Sequence, residues 1–351
     1  MMTHTEDIDR FMETFCVSVC NGGESDPELV GRLVEYMQKD EVTHLLPTFA
    51  MTCQIALAAK TREIHDFDYL VTFQGEEVFA NYAQRAGRLE DYCRRLREVV
   101  AGSAWPAVAV SRDYAQRLRD EMGIDERRLH VIYPGIELPQ TSSVPFCELQ
   151  STFPKLVRDL PIVTYIGRQD SEKGIDLLLY AAKMLEQRGV KLQLVICGST
   201  CFGERYQEVL RQIGEHLRLE IHQSGRVSDQ IRDTLYAHSR CIVYPSIHRE
   251  PFGLVAAEAM SHGIPVLVPD QGGITEVVQS EGRSGGLTFQ AWDSGDLACQ
   301  LERLLNDDAL YHDLAMNTRR LASNFTVGRM TDNVLRHLGV SHSPDSRSIA
   351  S

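Results

Sequence analysis

Cys241-Ile-Val-Tyr-Pro245-Ser-Ile-His-Arg-Glu250-Pro-Phe-Gly-Leu-Val-Ala-Ala-Glu258-Ala-Met260 runs an apolar strand through one turn into a helix. Cys241 to Tyr244 reads as the strand, Pro245 and Ser246 end it, and Leu254 to Met260 are good helix formers behind Gly253. In an open α/β sheet ligands collect beyond the carboxyl ends of strands, at transitions of this kind. A helix's first turn adds unpaired N–H groups and a positive dipole end, which attract phosphate. Glu250 falls in the turn, and Glu258 about two helical turns further on. The two carboxylates can therefore reach different parts of one elongated ligand. Taken alone, the same residues also describe plain solvated carboxylates, because short motifs recur by chance.

A second segment changes the balance. Ile162-Val-Thr-Tyr-Ile166 is short, apolar and β-branched, the composition of a buried parallel strand. It runs into Gly167-Arg168-Gln-Asp-Ser-Glu172-Lys173-Gly174, and a helical pattern follows from Ile175 to Arg188. Arg168 offers a planar fork suited to bidentate phosphate binding, and Lys173 a compact point charge. Two such turns can face one diphosphate from two sides. A solvated basic loop is the plainer alternative for this turn by itself.

The surrounding pattern alternates strand and helix. Strands are expected at 162–166, 192–197, 219–223, 241–244, 265–268 and 286–289, with helices between them and further helices at 294–305, 308–323 and Val327 to Leu338. That alternation implies a parallel sheet with right-handed crossovers. Upstream, Val42 to Leu46, Tyr69 to Phe73, Ala107 to Val110 and Leu129 to Tyr133 read as strands of a second sheet, and Arg112 to Met122 as a helix. The 351 residues suit two domains, and 43% hydrophobic content can fill two cores. A net charge of −13 argues against a general nucleic-acid binder. Nine scattered cysteines read as thiols of a reducing cytosol. Cys16 and Cys20, like Cys197 and Cys201, lack the second ligand pair that a zinc site needs, so no metal site is expected. No 18-residue apolar run or leader pattern occurs, which points to a cytoplasmic protein, free or peripheral to the inner face of the membrane. For the latter, Arg85, Arg88, Arg94, Arg95 and Arg97 offer a basic cluster, although Glu90, Asp91 and Glu98 interleave with it as on an ordinary solvated helix. Trp105 and Trp292 read as packing residues, and His262 as the C-terminal cap of its helix.

Gly167-Arg168 with Glu172-Lys173-Gly174, then Glu250 and Glu258, then Gly272-Gly273-Ile-Thr-Glu276, resemble in order and spacing the donor domain of family-four glycosyltransferases. Those are retaining enzymes of the GT-B type, with two Rossmann-like domains. The resemblance covers residues 105–335 well and 40–80 loosely. It implies transfer of a sugar from a nucleotide-diphosphate donor of UDP, GDP or ADP type to a glycan, lipid or small-molecule hydroxyl, with no further cofactor. Arg168 and Lys173 would stabilise the departing diphosphate, and Glu250 would contact the transferred sugar. Glu258 would accept hydrogen bonds from the ribose hydroxyls. The Phe252, Gly253 and Leu254 backbone, Gly167, Gly198, Ser199, and the loop Gly225-Arg226-Val227 would complete the donor site. Gln74, Gly75, Glu77 and His248 are candidates for the acceptor and sugar side.

By the same resemblance residues 1–140 form the acceptor domain, 141–160 a linker, and 161–323 the donor domain. Residues 324–340 form a helix crossing back to the first domain, and 341–351 a disordered tail. Two departures stand out. About fifty residues of the usual strand, glycine loop and helix are expected to be missing before Val42, with Phe15 to Cys20 and Asn21-Gly22-Gly23 as a remnant strand and turn. Gln74 stands where the family often has a histidine, and an amide cannot serve as a base. A nucleotide-sugar-binding protein without transfer therefore stays open as an alternative. A nucleotide-sugar 2-epimerase stays open too, though it would need acid and base groups that Gln74 does not supply. Retention by double displacement would require a carboxylate nucleophile. None is identified, so the resemblance implies a front-face reaction in which the leaving phosphate takes the acceptor's proton.

Overall fold

The computed structural model describes residues 5–21, 27–62, 65–75, 77–139, 145–200 and 205–340. The chain divides into two compact units, residues 1–133 with 330–351, and residues 134–329. The expected tail at 341–351 and the glycines Gly22 and Gly23 lie outside the described residues.

The first unit opens with helices α1 (Thr5–Cys20) and α2 (Pro27–Lys39). Phe15 to Cys20 is thus helix and not the remnant strand expected. Cys16, Val19 and Cys20 are buried at helical spacing, and the Cys16 thiol approaches the Phe79 carbonyl at 3.5 Å. A short apolar run cannot be told from a buried helical face by its pattern alone, and here the packing against later helices decides it. Next come β1 (His44–Leu45), α3 (Cys53–Thr61), β2 (Asp68–Tyr69) and β3 (Thr72–Phe73). Helices α4 (Glu77–Arg85) and α5 (Leu89–Gly102) follow, then β4 (Ala107–Ala109), α6 (Arg112–Met122) and β5 (Leu129–Val131). β1 pairs β2, and β3 pairs β4, which pairs β5, all in parallel. Leu70 N–H donates to Leu45 at 2.9 Å and Val108 N–H to Val71 at 2.8 Å, so the run from Asp68 to Phe73 bridges both sheets.

The second unit begins with α7 (Cys147–Gln150). Within the part of the expected linker that is described, 145–160, Leu149, Phe153 and Leu156 are buried, and Gln193 ties Val157 with bonds of 2.8 and 2.7 Å. Three apolar residues spaced three and four apart outweigh the prolines and serines around them. The alternation then runs β6 (Ile162–Ile166), α8 (Ile175–Gln187), β7 (Gln193–Cys197), α9 (Arg205–Leu217), β8 (Ile221–Gln223), α10 (Asp229–His238) and β9 (Cys241–Val243). It continues through α11 (Leu254–Ser261), β10 (Val266–Pro269) and α12 (Ile274–Val278). A hairpin of β11 (Gln279–Ser280) and β12 (Arg283–Ser284) precedes β13 (Gly286–Phe289), α13 (Ser294–Asn306) and α14 (Asp308–Ala322). The six-stranded sheet has the order β13-β10-β9-β6-β7-β8, every neighbour parallel. This is the doubly wound order, and its switch point lies between β6 and β9, where the crossovers diverge. β6 is buried along its whole length, and its one polar residue, Thr164, is satisfied by Ser239 at 2.7 Å.

The last helix, α15 (Val327–Leu338), belongs to the first unit from Met330 onward. Met330, Val334 and Leu338 pack there with Leu70, Val108, Ile132 and Trp105. Trp292, by contrast, is 65% exposed with φ of 70°, so it is not the packing residue expected.

Burial holds the imidazoles of His222 and His262 below their usual pKa; for His262 the Asp233 carboxylate pulls weakly the other way. A folded-state pKa below the unfolded one means that the unfolded chain takes up protons first as pH falls. This contribution is complete above the ordinary imidazole range near ~6.5 and is lost as pH drops through it. Thermal melts between about pH 7.5 and 5.5 should show a falling midpoint; a rise on acidification would contradict this account.

Candidate functional site

The turns after β6 and β9 meet at the switch point. Ser171 to Lys173 forms a short 3₁₀ turn, and Gly174 leaves it in the left-handed region at φ of 58°. A Cβ on Gly174 would stand 2.3 Å from the Pro245 carbonyl oxygen, so only glycine lets the two turns come this close. Ile247 N–H donates to the Glu172 carbonyl at 3.1 Å and His248 N–H to the same oxygen at 3.3 Å. On the far side Gly273 N–H donates to the Glu250 carbonyl at 2.8 Å. The turn that carries Glu250 is thereby held by backbone bonds on both sides.

The side chains converge as well. Lys173 and Glu250 are buried, and Lys173 Nζ lies 2.5 Å from Glu250 Oε1. Ser246 Oγ donates to the same carboxylate oxygen at 2.7 Å. The ammonium also sits 5.4 Å from the centre of the Tyr244 ring, which stacks on Tyr165 at 6.2 Å. Burial, then the Glu250 charge, pushes the Tyr244 phenol well above its usual pKa, with Arg168 pulling the other way. An ion pair this dry adds little net stability, since desolvation offsets most of its attraction. Charges kept in such a place point to a task beyond folding.

The remaining sequence-derived residues of the second unit lie on the turns after β6, β7, β8 and β9 and on α11. Arg168 has a side chain 44% exposed, its Nη1 2.9 Å from Asp170 Oδ2. That contact is off the hydrogen-bond direction, since neither buried Asp170 oxygen has a hydrogen-bond partner. Glu258, half-buried on α11, accepts from the buried Tyr236 hydroxyl of α10 at 3.0 Å. Gly198 has φ of 138°, and a Cβ on it would come 1.7 Å from the Gly167 oxygen; these two strand ends touch through bare backbone. Gln169 N–H donates to the Ser199 carbonyl at 2.9 Å. Arg226 is exposed and Val227 half-buried on the loop after β8, where Gly225 accepts from Gly198 N–H at 3.0 Å. Phe252 is a core residue against Phe325, at 5.3 Å between ring centres, so only its backbone can serve a ligand. Gly253 has φ of 95°, and Leu254 opens α11. His248 is half-buried on the same turn as Glu250.

In the first unit, Gln74 is exposed and Gly75 half-buried just past the carboxyl end of β3. Glu77 opens α4, but its side chain lies outside the described residues. Four arginines of the basic cluster, at the start of α5 and along it, are paired: Arg88 and Arg94 with Asp91, Arg95 with Glu98, and Arg97 with Glu90, while Arg85 ends α4 over the Tyr82 ring. No helix among the described residues is long and apolar enough to cross a membrane, and no metal-ligating cluster occurs among them.

Three residues of the site had no role assigned from sequence. Ser246 stands in the quoted turn, but a serine after proline looks like ordinary turn chemistry. Tyr236 lies on a different helix from Glu258, and nothing local joins them. Gln169, 1% exposed, bridges the Gly198 and Ser224 carbonyls at 2.9 and 2.7 Å. A polar residue beside Arg168 reads as solvent-facing until the neighbouring loops are in place.

Residues 150–321 match the family model of glycosyl transferases group 1. The D-inositol 3-phosphate glycosyltransferase of Salinispora arenicola is 30% identical over 273 residues, covering 72% of this chain and 59% of that protein. The alpha-D-kanosaminyltransferase of Streptomyces kanamyceticus is 28% identical over 187 residues, covering 52% of this chain and 47% of that protein. The chain thus spans about half to three fifths of these relatives. Among solved structures, Anabaena HepE in complex with UDP and glucose superposes with a TM-score of 0.75 at 21% identity, over 89% of this chain and 81% of that one. Sucrose-phosphate synthase from Thermosynechococcus elongatus gives 0.73 at 23% identity, over 89% and 78% of the two chains. The fold is that of GT-B glycosyltransferases, two Rossmann-like α/β domains.

Proposed function

We propose that this chain is a retaining glycosyltransferase that moves a sugar from a nucleotide-diphosphate donor to an acceptor hydroxyl, with its donor site in the second unit. The contact carrying this reading is Lys173 Nζ at 2.5 Å from Glu250, which joins the two strand-end turns at the switch point of the sheet. A cation and a carboxylate held together there can serve a diphosphate and the adjoining sugar hydroxyls at once. The family match over residues 150–321 and the UDP and glucose held by HepE support the same donor class.

In this reading the reaction is front-face. The acceptor hydroxyl attacks from the side of the leaving group, and the departing phosphate takes its proton. Arg168, Lys173 and the N-terminal turn of α11 stabilise the growing diphosphate charge. Glu250 orients the transferred sugar and Glu258 the ribose. Gln74, Gly75, Glu77 and His248 are assigned to the acceptor and sugar side. The acceptor is a glycan, a lipid or a small molecule. A basic membrane-facing patch on α5 draws no support from its paired arginines.

The binding-only reading keeps one observation on its side: helix α1 stands where a strand was expected at the start of the acceptor domain. A thermal-shift panel of UDP, GDP and ADP followed by a turnover assay with the matching nucleotide sugar separates the two. One nucleotide should raise the melting midpoint by mass action, and its sugar should be turned over. Binding with neither transfer nor hydrolysis would favour the binding protein. Glu258→Ala should weaken that nucleotide about tenfold to a hundredfold, the worth of hydrogen bonds to a charged group. Calorimetric titration of wild type against variant checks this, and equal affinities would remove Glu258 from the ribose.

A further inference from the structure

We infer that Ser246 and Tyr236 are positioning residues, each tying one oxygen of a site glutamate from behind and leaving the other oxygen for the donor. The inference rests on the donor-site reading above and goes beyond it by assigning two buried hydroxyls.

Ser246 is 1% exposed, so its hydroxyl has no water to turn to. Its Oγ lies 2.7 Å from Glu250 Oε1, 3.1 Å from the His248 carbonyl and 3.2 Å from that of Glu172. One proton serves one of these, and the carboxylate is both the nearest and the strongest acceptor. Lys173 occupies the same Oε1 at 2.5 Å. The hydrogen bonds from Lys173 and Ser246 meet on Oε1, and the Tyr244 hydroxyl lies beside the same carboxylate. Glu258 repeats the arrangement from another element: the Tyr236 hydroxyl, fully buried, donates to Oε2 at 3.0 Å, and no described hydrogen bond ends on Oε1. Tyr236 itself is held by α10, whose N-cap Ser228 accepts from Ile231 N–H at 3.3 Å, and by the ring of His262 at 5.0 Å.

A carboxylate with one oxygen pinned presents the other in a fixed direction. For Glu250 that matters where the sugar reacts, and for Glu258 where the ribose binds. The two hydroxyls should therefore affect different quantities. The full-length chain is titrated with UDP, GDP and ADP, and turnover is read as nucleoside diphosphate released from the corresponding nucleotide sugar. Tyr236→Phe should weaken the bound nucleoside diphosphate about 3- to 10-fold and raise the donor KM equally, with kcat within about twofold. Ser246→Ala should leave nucleoside-diphosphate affinity unchanged and lower kcat about 3- to 10-fold, with Ser246→Thr restoring most of it. Should Ser246→Ala melt early, Tyr236→Phe, which loses one oxygen atom, still decides its half. Wild-type binding accompanied by unchanged constants in both variants overturns the inference and spares the donor site. Equal losses of affinity and turnover in both also overturn it, since general loosening would produce that. A wild type that binds none of the three nucleotides overturns the donor site and the inference together.

Discussion

Lys173→Ala should lower kcat roughly a hundred- to thousand-fold, the usual cost of losing one preorganised charge donor at a reacting centre. The ammonium is buried at the end of the β6 turn, against Glu250 and over the Tyr244 ring, and it cannot be replaced from solvent. Donor affinity should change far less, because Arg168, the helix N-terminus and Glu258 still hold the nucleotide. Removing one member of a buried pair also destabilises, by about 3–5 kcal/mol where the other charge is left bare. Here Ser246 still donates to Glu250, which reduces that loss. Lys173→Met, which keeps most of the volume, separates charge from packing. Steady-state kinetics beside a melting curve make the measurement, and near-native turnover in either variant would remove the leaving-group role.

Gly198→Ala should unfold the carboxyl end of the sheet at a markedly lower temperature. Its φ of 138° is rare for a side-chain-bearing residue, and the new methyl would stand 1.7 Å from the Gly167 oxygen. That neighbour is backbone, tied by Gly167 N–H to the Cys197 carbonyl at 3.0 Å, so it cannot swing aside. Backbone strain alone costs on the order of 1–3 kcal/mol, and the clash adds to it. At about 2–4 °C per kcal/mol for a unit of this size, a fall of roughly 6–12 °C in the second unit's melting temperature is expected. Gly225→Ala is the control: a Cβ there meets nothing within 4 Å. Equal melting temperatures for the two variants would show that the close approach of Gly167 and Gly198 is not required.

The second unit was legible because β6, β7, β9 and β10 are short, largely apolar, buried runs that lead into turns, whereas the polar hairpin of β11 and β12 carries no such signal. Val327 to Leu338, read from helical spacing, forms a helix over the same residues. The register of two turns eighty residues apart could be anticipated from their shared strand-end chemistry. How they touch could not. Nothing in the sequence says that Lys173 pairs with Glu250, since that contact depends on β6 and β9 being neighbours. Tyr236 and Gln169 escaped for the same reason, as their partners arrive from other elements. In the first unit the failure was local. The run from Phe15 to Cys20 fits either a strand or a buried helical face, and only the helices packed against it distinguish them. Between 145 and 160, Pro145, Ser151, Thr152 and Pro154 hid the apolar anchors Leu149, Phe153 and Leu156.

The most direct test is a crystal structure of this protein with the nucleoside diphosphate that most raises its melting temperature. The diphosphate should lie at the carboxyl ends of β6 and β9, with Lys173 Nζ within about 3.2 Å of a phosphate oxygen and a ribose hydroxyl on Glu258. A diphosphate bound elsewhere, with Lys173 still closed on Glu250 and no ligand beside it, would contradict the account.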